Sequence, residues 1–241
     1  MPKLVAAGCS FIFGNDLKDQ QGAKPSNSTF PALLAQDLGL DYRCVAVPGS
    51  GSDSQVRQVI ENVDQDTELV VVCWSYAGRF EFDFDELGWH STRHLNSNFW
   101  AKEILESFAR QFYGNLTQRY QWYHYVKDIV FLQQWLTAKA IPYLFCSMDP
   151  DFSKKAIKDT TFQTLCAAIN FDHWFFWKIG KRNLGFRQWS FDMQKIDPRY
   201  EIGEAAQHPL EHAHRESFNL IKEQLTQKGL YDTYRTGDYK T

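Results

Sequence analysis

The chain has 241 residues, with 26 basic against 29 acidic side chains and a formal net charge of -3. This balance leaves no basic stripe for a nucleic acid, so DNA and RNA are excluded as main partners. No stretch approaches the roughly 18 consecutive apolar residues of a membrane-spanning helix, and the first residues form no apolar signal region. We therefore expect a soluble, cytoplasmic protein that binds no membrane.

Length and cysteine usage fit a single domain over residues 1–241, without an internal linker or repeat. The five cysteines form an odd set without a Cys-x-x-Cys pair, which predicts small buried thiols in a reducing compartment. They are Cys9, Cys44, Cys73, Cys146 and Cys166.

The first predicted element is a strand over the apolar run at residues 3–7. Ser10 follows it directly, at the carboxyl end of the strand, where α/β proteins hold their chemistry. Gly8 and Gly14 flank it and let the backbone turn sharply. Ser10 is thus a candidate nucleophile, the alternative being a turn serine that caps the next helix. Cys9 is the rival nucleophile, and we expect it to face the core instead.

Two more β-like runs, at residues 42–47 and 69–72, each end in small polar residues. The first leads into a glycine-rich turn and an amphipathic helix, so Gly49 or Gly51 either donates a backbone N–H to a reacting oxygen or merely forms the turn. The second is apolar enough for burial on both faces of the sheet. Ser75 at its end either reaches the same crevice at the carboxyl ends of the strands as Ser10 or is a plain strand-end serine.

The middle of the chain alternates predicted helices and strands. A long helix at residues 116–136 precedes a strand at 141–146, and the aromatic tract at 172–191 contains part of a fifth strand. This alternation predicts a flavodoxin-like, three-layer α/β/α fold with a mostly parallel, roughly five-stranded sheet. Residues 79–113, rich in acids and aromatics, are predicted to form a lid or substrate wall.

Arg79, at the start of this wall, is a candidate for binding an acidic substrate group. The commoner alternative is an ion pair with Glu81 or Asp83.

Near the C-terminus, Pro209 suits the first turn of a last helix. His208 before it is either a general base or a histidine that merely begins the helix. His208, His212 and His214 form the pattern His-x3-His-x-His, in which His208 and His212 have the i, i+4 spacing of a helical zinc-binding pair. No cysteine or acid completes a zinc site, so we predict surface or packing roles for His212 and His214 and no metal.

These segments together resemble the SGNH (GDSL-like) hydrolase superfamily, and its phage and bacterial members in particular. Residues 8–11 look like the family's first block, which holds the nucleophilic serine. Residues 46–53 look like the second, and residues 73–75 stand where the third usually has Gly-x-Asn. The last block is matched by His208-Pro209. The resemblance implies that the N–H groups of Ser10 and Gly49, with the Ser75 hydroxyl, bind the oxyanion.

The chain departs from the family pattern at the acid. The family normally places an aspartate three residues before its histidine, and here that position is Ala205. A triad needs a carboxylate on the histidine Nδ1–H. Glu204 is the nearest acid, with Glu201 and Asp197 beyond it, so either Glu204 or a backbone carbonyl orients His208.

The resemblance implies a serine esterase or deacylase that hydrolyses an ester on a small molecule or glycan and needs no cofactor. The competing hypothesis is a non-catalytic binding or virion-associated protein that keeps the fold, and a third is a nucleotide-binding module that cradles an anion at the Gly49 loop. A viral origin and a homo-oligomer are further expectations.

Overall fold

A parallel β-sheet forms the centre of the fold in a computed structural model that describes residues 1–84, 88–91, 102–148, 162–204 and 207–236. The described strands are β1 (Lys3–Ala7), β2 (Asp41–Cys44), β3 (Thr67–Trp74), β4 (Glu81–Phe84), β5 (Gly88–Ser91), β6 (Tyr143–Ser147), β7 (Trp177–Ile179) and β8 (Arg182–Leu184). The described helices are α1 (Ser10–Phe13), α2 (Phe30–Leu38), α3 (Ser52–Asn62), α4 (Lys102–Asn115), α5 (Gln118–Ala138), α6 (Gln163–Ala167), α7 (Phe186–Gln194), α8 (Glu211–Gln227) and α9 (Leu230–Thr236).

The central sheet has the strand order β2-β1-β3-β6, and all three pairings are parallel. Strand β3 is an apolar run because a parallel strand with helices on both sides is buried on both faces. Successive side chains of β1 alternate between the two faces. Leu4 packs towards α2 and α8, and Val5 packs towards α3 and α5. The predicted three-layer α/β/α fold is therefore confirmed.

Only a short part of the aromatic tract at residues 172–191 pairs with the central sheet, where a fifth strand was predicted. Trp174 forms an isolated parallel bridge with Phe145, and the Phe175 N–H donates to the Phe145 carbonyl at 2.8 Å. The rest of the tract forms the separate β7–β8 hairpin and α7. Its aromatic side chains pack into the two apolar layers beside the sheet.

Several element boundaries differ from the predictions, and two of the differences change how a segment is paired. Strand β2 ends at Cys44, although the N–H groups of Val45 and Val47 still donate to the β1 side of the sheet. The helix predicted to be the last is α8, which begins at Glu211 and not at Pro209, because Pro209 pairs with Ile202 in an antiparallel bridge; the short helix α9 follows it. None of the helices in the described ranges is both long and apolar enough to cross a membrane.

The predicted wall at residues 79–113 contains the antiparallel β4–β5 hairpin and most of α4, while residues 85–87 and 92–101 lie outside the described part. Glu81 attaches the hairpin to α3. Its carboxylate accepts two hydrogen bonds from the Arg57 guanidinium, both at 3.0 Å, and one from Ser54 Oγ at 2.8 Å. Its N–H donates to Asp53 at 2.7 Å, and Trp89 lies against the guanidinium, 4.4 Å from the ring centre.

Removing this attachment is expected to loosen the hairpin. In Arg57→Met, the Glu81 carboxylate, whose side chain is 6% exposed, loses its charged partner. Hydrogen bonds to charged groups contribute about 1.5–3 kcal/mol, so hydrogen exchange at the β4 amides should accelerate roughly 10- to 100-fold while β3 amides are unchanged. Arg43→Met, which removes a hydrogen bond to Asn62, is the matched control. Equal protection of β4 in both variants would contradict this role.

Candidate active site

Ser10 is the first residue of α1 and follows the carboxyl end of β1 by three positions. The chain turns abruptly here because α1 has a single turn and ends at Gly14, whose φ of 81° is the left-handed conformation that glycine adopts readily. Gly8 permits close packing on the other side, since a Cβ there would collide with the Ile12 side chain. The Ser10 hydroxyl is thus held in place by backbone geometry.

His208 approaches Ser10 from a loop near the other end of the chain. Its Nε2 lies 2.9 Å from Ser10 Oγ. The loop is fixed by its own hydrogen bonds, in which the Gly203 N–H donates to the His208 carbonyl at 2.8 Å and the Leu210 N–H donates to the Glu201 carbonyl at 3.0 Å. Phe11 packs edge-on against the imidazole, with ring centres 4.9 Å apart. The ring plane is therefore constrained on several sides.

Asp16 is the acid against His208, with Oδ2 lying 2.7 Å from Nδ1. An ionised carboxylate can only accept a hydrogen bond, so Nδ1 must carry the proton in the neutral imidazole, and Nε2 then accepts from the Ser10 hydroxyl. These roles fix which atom carries each proton in the hydrogen-bonded series Ser10, His208 and Asp16. The carboxylate remains partly open to solvent, whereas the His208 side chain is 5% exposed.

The prediction that Glu204 orients His208 is wrong. Glu204 is exposed in the loop before the histidine, and the single Nδ1–H is directed at Asp16 instead. A backbone carbonyl, the other alternative, does not hold that position either.

Asp16 was missed because the family pattern directs attention to the residues before the histidine. It lies only six positions after Ser10, in the segment that closes α1, and its own backbone has a φ of 70°, which is uncommon for a residue other than glycine. Gly203 makes room for it, since a Cβ there would lie 2.7 Å from Asp16 Oδ2. A glycine followed by Asn15-Asp16 just after the candidate nucleophile was the available signal.

The loop after β2 meets the first loop at the Gly8 carbonyl. This oxygen accepts from the Val47 N–H at 3.1 Å and from Ser50 Oγ at 2.9 Å. Gly49 lies between those two donors in a turn with a φ of 82°. Gln55, on α3, ties the third loop in by bonding to the Cys73 carbonyl and the Ser75 N–H, both at 3.3 Å. The three family-like blocks therefore share one edge of the sheet.

Ser75 and Arg79 form a pair in the third loop. Arg79 Nη1 donates to Ser75 Oγ at 2.8 Å, and the guanidinium carbon lies 4.7 Å from the centre of the Tyr76 ring. Ser75 is completely buried, whereas Arg79 is half-buried. The ion pair considered for Arg79 is not formed with Glu81, which binds Arg57.

The remaining candidates have packing roles. Cys9 is buried in the core beside α1, as predicted. His214 is fully buried between aromatic rings, where its Nδ1 accepts from the Phe30 N–H at 3.2 Å. His212 packs against Tyr200. Across the described ranges, no group of three or more histidine, cysteine or acidic side chains could hold a metal ion.

Solved structures that resemble this chain include esterases. An acetyl xylan esterase from the rumen bacterium Butyrivibrio proteoclasticus shares 13% identity at a TM-score of 0.50, over 95% of this chain and 64% of that one. A family two carbohydrate esterase from Clostridium thermocellum shares 12% at 0.51, over 95% and 65%. A protein from Parabacteroides merdae described as a GDSL-like lipase shares 11% at 0.47, over 92% and 94%.

The chain thus spans slightly less than two thirds of the length of the first two proteins. At such low identity the similarity concerns the fold alone. No protein-family model matches the chain, and no curated protein matches its sequence.

Burial of His214 predicts a pH-dependent stability that is separate from the chemistry at His208. Burial lowers the pKa of His214 from 6.5 to about 3. Below pH 6.5 the unfolded chain therefore binds a proton that the folded chain does not, so stability falls as the pH falls from 6.5 towards 3. Because of this residue, the free energy of unfolding should be about 2 kcal/mol lower at pH 5 than at pH 7.5.

The variant His214→Asn keeps an acceptor for the Phe30 N–H and removes the titration. Urea unfolding at several pH values should show a shallower loss of stability on the acid side than in the parent chain. Identical pH dependence in both proteins would contradict a neutral, buried His214.

Proposed function

We propose that this protein is a serine esterase or deacylase in which Ser10 is the nucleophile, His208 the general base and Asp16 the orienting acid. The observation that carries the proposal is the unbroken hydrogen-bonded chain from Ser10 Oγ through both nitrogens of His208 to Asp16, with contacts of 2.9 and 2.7 Å. A nucleophile, a base within hydrogen-bond reach and a group that orients the base are the recurring elements of such sites.

In the proposed reaction, Ser10 Oγ attacks the ester carbonyl carbon and its proton passes to His208 Nε2. The carbonyl π electrons move onto oxygen, where the N–H groups of Ser10 and Gly49 are the proposed backbone donors. Collapse of the intermediate breaks the bond to the leaving alkoxide, which takes the proton from His208. Water then attacks the acyl-enzyme, gives its proton to His208, and releases the carboxylic acid as Ser10 recovers its proton.

The substrate is proposed to be an acyl ester carried by a small molecule or a glycan. The support is limited to the fold, because the similar structures with TM-scores of at least 0.50 are carbohydrate esterases at 12–13% identity. The proton transfers described above are complete with the residues of the chain, so the mechanism requires no cofactor.

One observation favours the competing hypothesis of a non-catalytic protein that keeps the fold. Ser10 is 5% exposed and His208 is 4% exposed, so little of either residue is accessible to a substrate. An esterase must admit the carbonyl carbon to Ser10 Oγ, whereas a scaffold needs no such access. Chemical reactivity of Ser10 separates the two hypotheses.

A fluorophosphonate probe is expected to label Ser10, as mapped by mass spectrometry of the peptide that carries it. Ser10→Ala and His208→Gln should abolish labelling, because the first removes the attacking oxygen and the second its base. Ser190→Ala is the matched control, since Ser190 is an equally buried serine whose hydroxyl donates to the Phe186 carbonyl. Labelling of Cys9, or none in the parent chain, would favour the non-catalytic protein.

The choice of acid is tested by a pair of substitutions. Asp16→Asn keeps the size of the side chain but no longer fixes the proton on Nδ1, so kcat for a short aryl ester should fall by about 10⁴-fold. Glu204→Gln should leave kcat unchanged, because this exposed side chain does not contact His208. The reverse pattern would restore Glu204 as the orienting acid.

A further inference from the structure

The third family-like block lacks the side-chain amide that normally binds the oxyanion, and Ser75 stands in its place. Ser75 is 0% exposed, so its hydroxyl is not accessible to a substrate oxygen in the crevice. The guanidinium of Arg79 contacts this hydroxyl, with Nη1 donating to Ser75 Oγ at 2.8 Å.

The chemistry of the pair assigns the direction of the hydrogen bond. A guanidinium has five N–H donors and no acceptor, so Ser75 Oγ must be the acceptor. One N–H is used in this way, and none of the residues in the described ranges accepts a hydrogen bond from Nε or Nη2 of Arg79. Ser75 thus orients a cation that retains donors for another oxygen.

The backbone of Arg79 is held against the proposed oxyanion-binding loops. A Cβ on Gly51 would collide with the Arg79 carbonyl, so the turn that contains Gly49 packs directly on this residue. The Arg79 N–H also donates to the Tyr76 carbonyl at 3.1 Å, and the Tyr76 ring lies beside the guanidinium. The side chain is consequently fixed at both ends before any substrate arrives.

We infer that Arg79 supplies the side-chain donor to the oxyanion and that Ser75 is a positioning residue that holds Arg79. The inference rests on the proposed function, because it names a further part of the same site. A charged donor suits this task, since charge-assisted hydrogen bonds are roughly twice as strong as neutral ones and the oxygen becomes negative only as the nucleophile attacks. The effect should therefore appear in kcat and not in KM.

The test measures kcat and KM for a neutral and an anionic aryl ester, together with the rate of fluorophosphonate labelling at Ser10. Arg79→Met keeps the length of the side chain and removes its donors, so we expect kcat and the labelling rate to fall by about 10²- to 10³-fold, equally for both esters, with KM nearly unchanged. Arg43→Met removes an exposed arginine of β2 that bonds to Asn62, so it is the matched control and should behave like the parent chain.

A double-mutant cycle separates the two residues. Ser75→Ala should lower kcat less than Arg79→Met does, and Ser75→Ala in the Arg79→Met background should lower it no further, because Ser75 acts through Arg79. A full additional loss in the double variant would show that Ser75 itself contacts the oxyanion and would overturn the inference. Added methylguanidinium should partly restore kcat in Arg79→Ala.

The remaining outcomes are also decisive. A rise of KM confined to the anionic ester would make Arg79 a binding residue for acidic substrates and overturn its role at the oxyanion. Normal labelling and kcat in Arg79→Met would overturn the inference and leave the proposed function intact. A parent chain in which Ser10 is not labelled would overturn both together.

Discussion

Parallel pairing of β1 with β2 on one side and β3 on the other is the constraint on which the site depends. Parallel strands end at a common edge, so the loops that follow β1 and β3 leave the sheet together, and the turn after β2 is bonded to the first loop at the Gly8 carbonyl. The position of Ser10 is therefore set by backbone hydrogen bonds across three strands. Side-chain packing then fills the space around a framework that is already determined.

Within this framework, one short segment makes three contacts to the His208 ring. Ser10, Phe11 and Asp16 contact Nε2, the ring edge and Nδ1 of the same imidazole, and all three lie within seven consecutive residues. In the family pattern the acid and the base share a loop, whereas here the proposed acid, Asp16, shares a loop with the proposed nucleophile, Ser10. The histidine loop needs only to bring in a ring and to leave room for the acid, which Gly203 does.

This arrangement explains what the sequence could and could not predict. Strands β1 and β3 were predictable because burial on both faces requires continuous apolar runs, and Ser10 followed from its place after the first of them. Asp16 was not predictable from spacing, because a turn with a positive φ at an aspartate decides where that side chain points. Glu204 was chosen by proximity in sequence to His208, although a loop folded back on itself can direct such a neighbour to solvent.

The fifth strand predicted within the aromatic tract after residue 172 is reduced to a single bridge, for a related reason. Consecutive bulky residues indicate burial, but burial against a sheet face and membership of the sheet give the same local pattern. The backbone settles the difference here, with a single bridge at Trp174 before the chain turns into the β7–β8 hairpin. Composition therefore located the apolar layers correctly and left the number of strands open.

Helix α3 holds together the loops that carry the proposed donors. Gln55 bonds to Cys73 and Ser75 at the carboxyl end of β3, and its helix α3 begins shortly after the Gly49 turn. The same helix holds the wall hairpin through Asp53, and burial raises the pKa of the Asp53 carboxyl to about 6. Helix α3 thus joins the glycine turn, the Ser75 loop and the wall into one hydrogen-bonded unit. Donors held in this way need little reorganisation when charge develops, and that preorganisation is the main source of electrostatic catalysis in such sites.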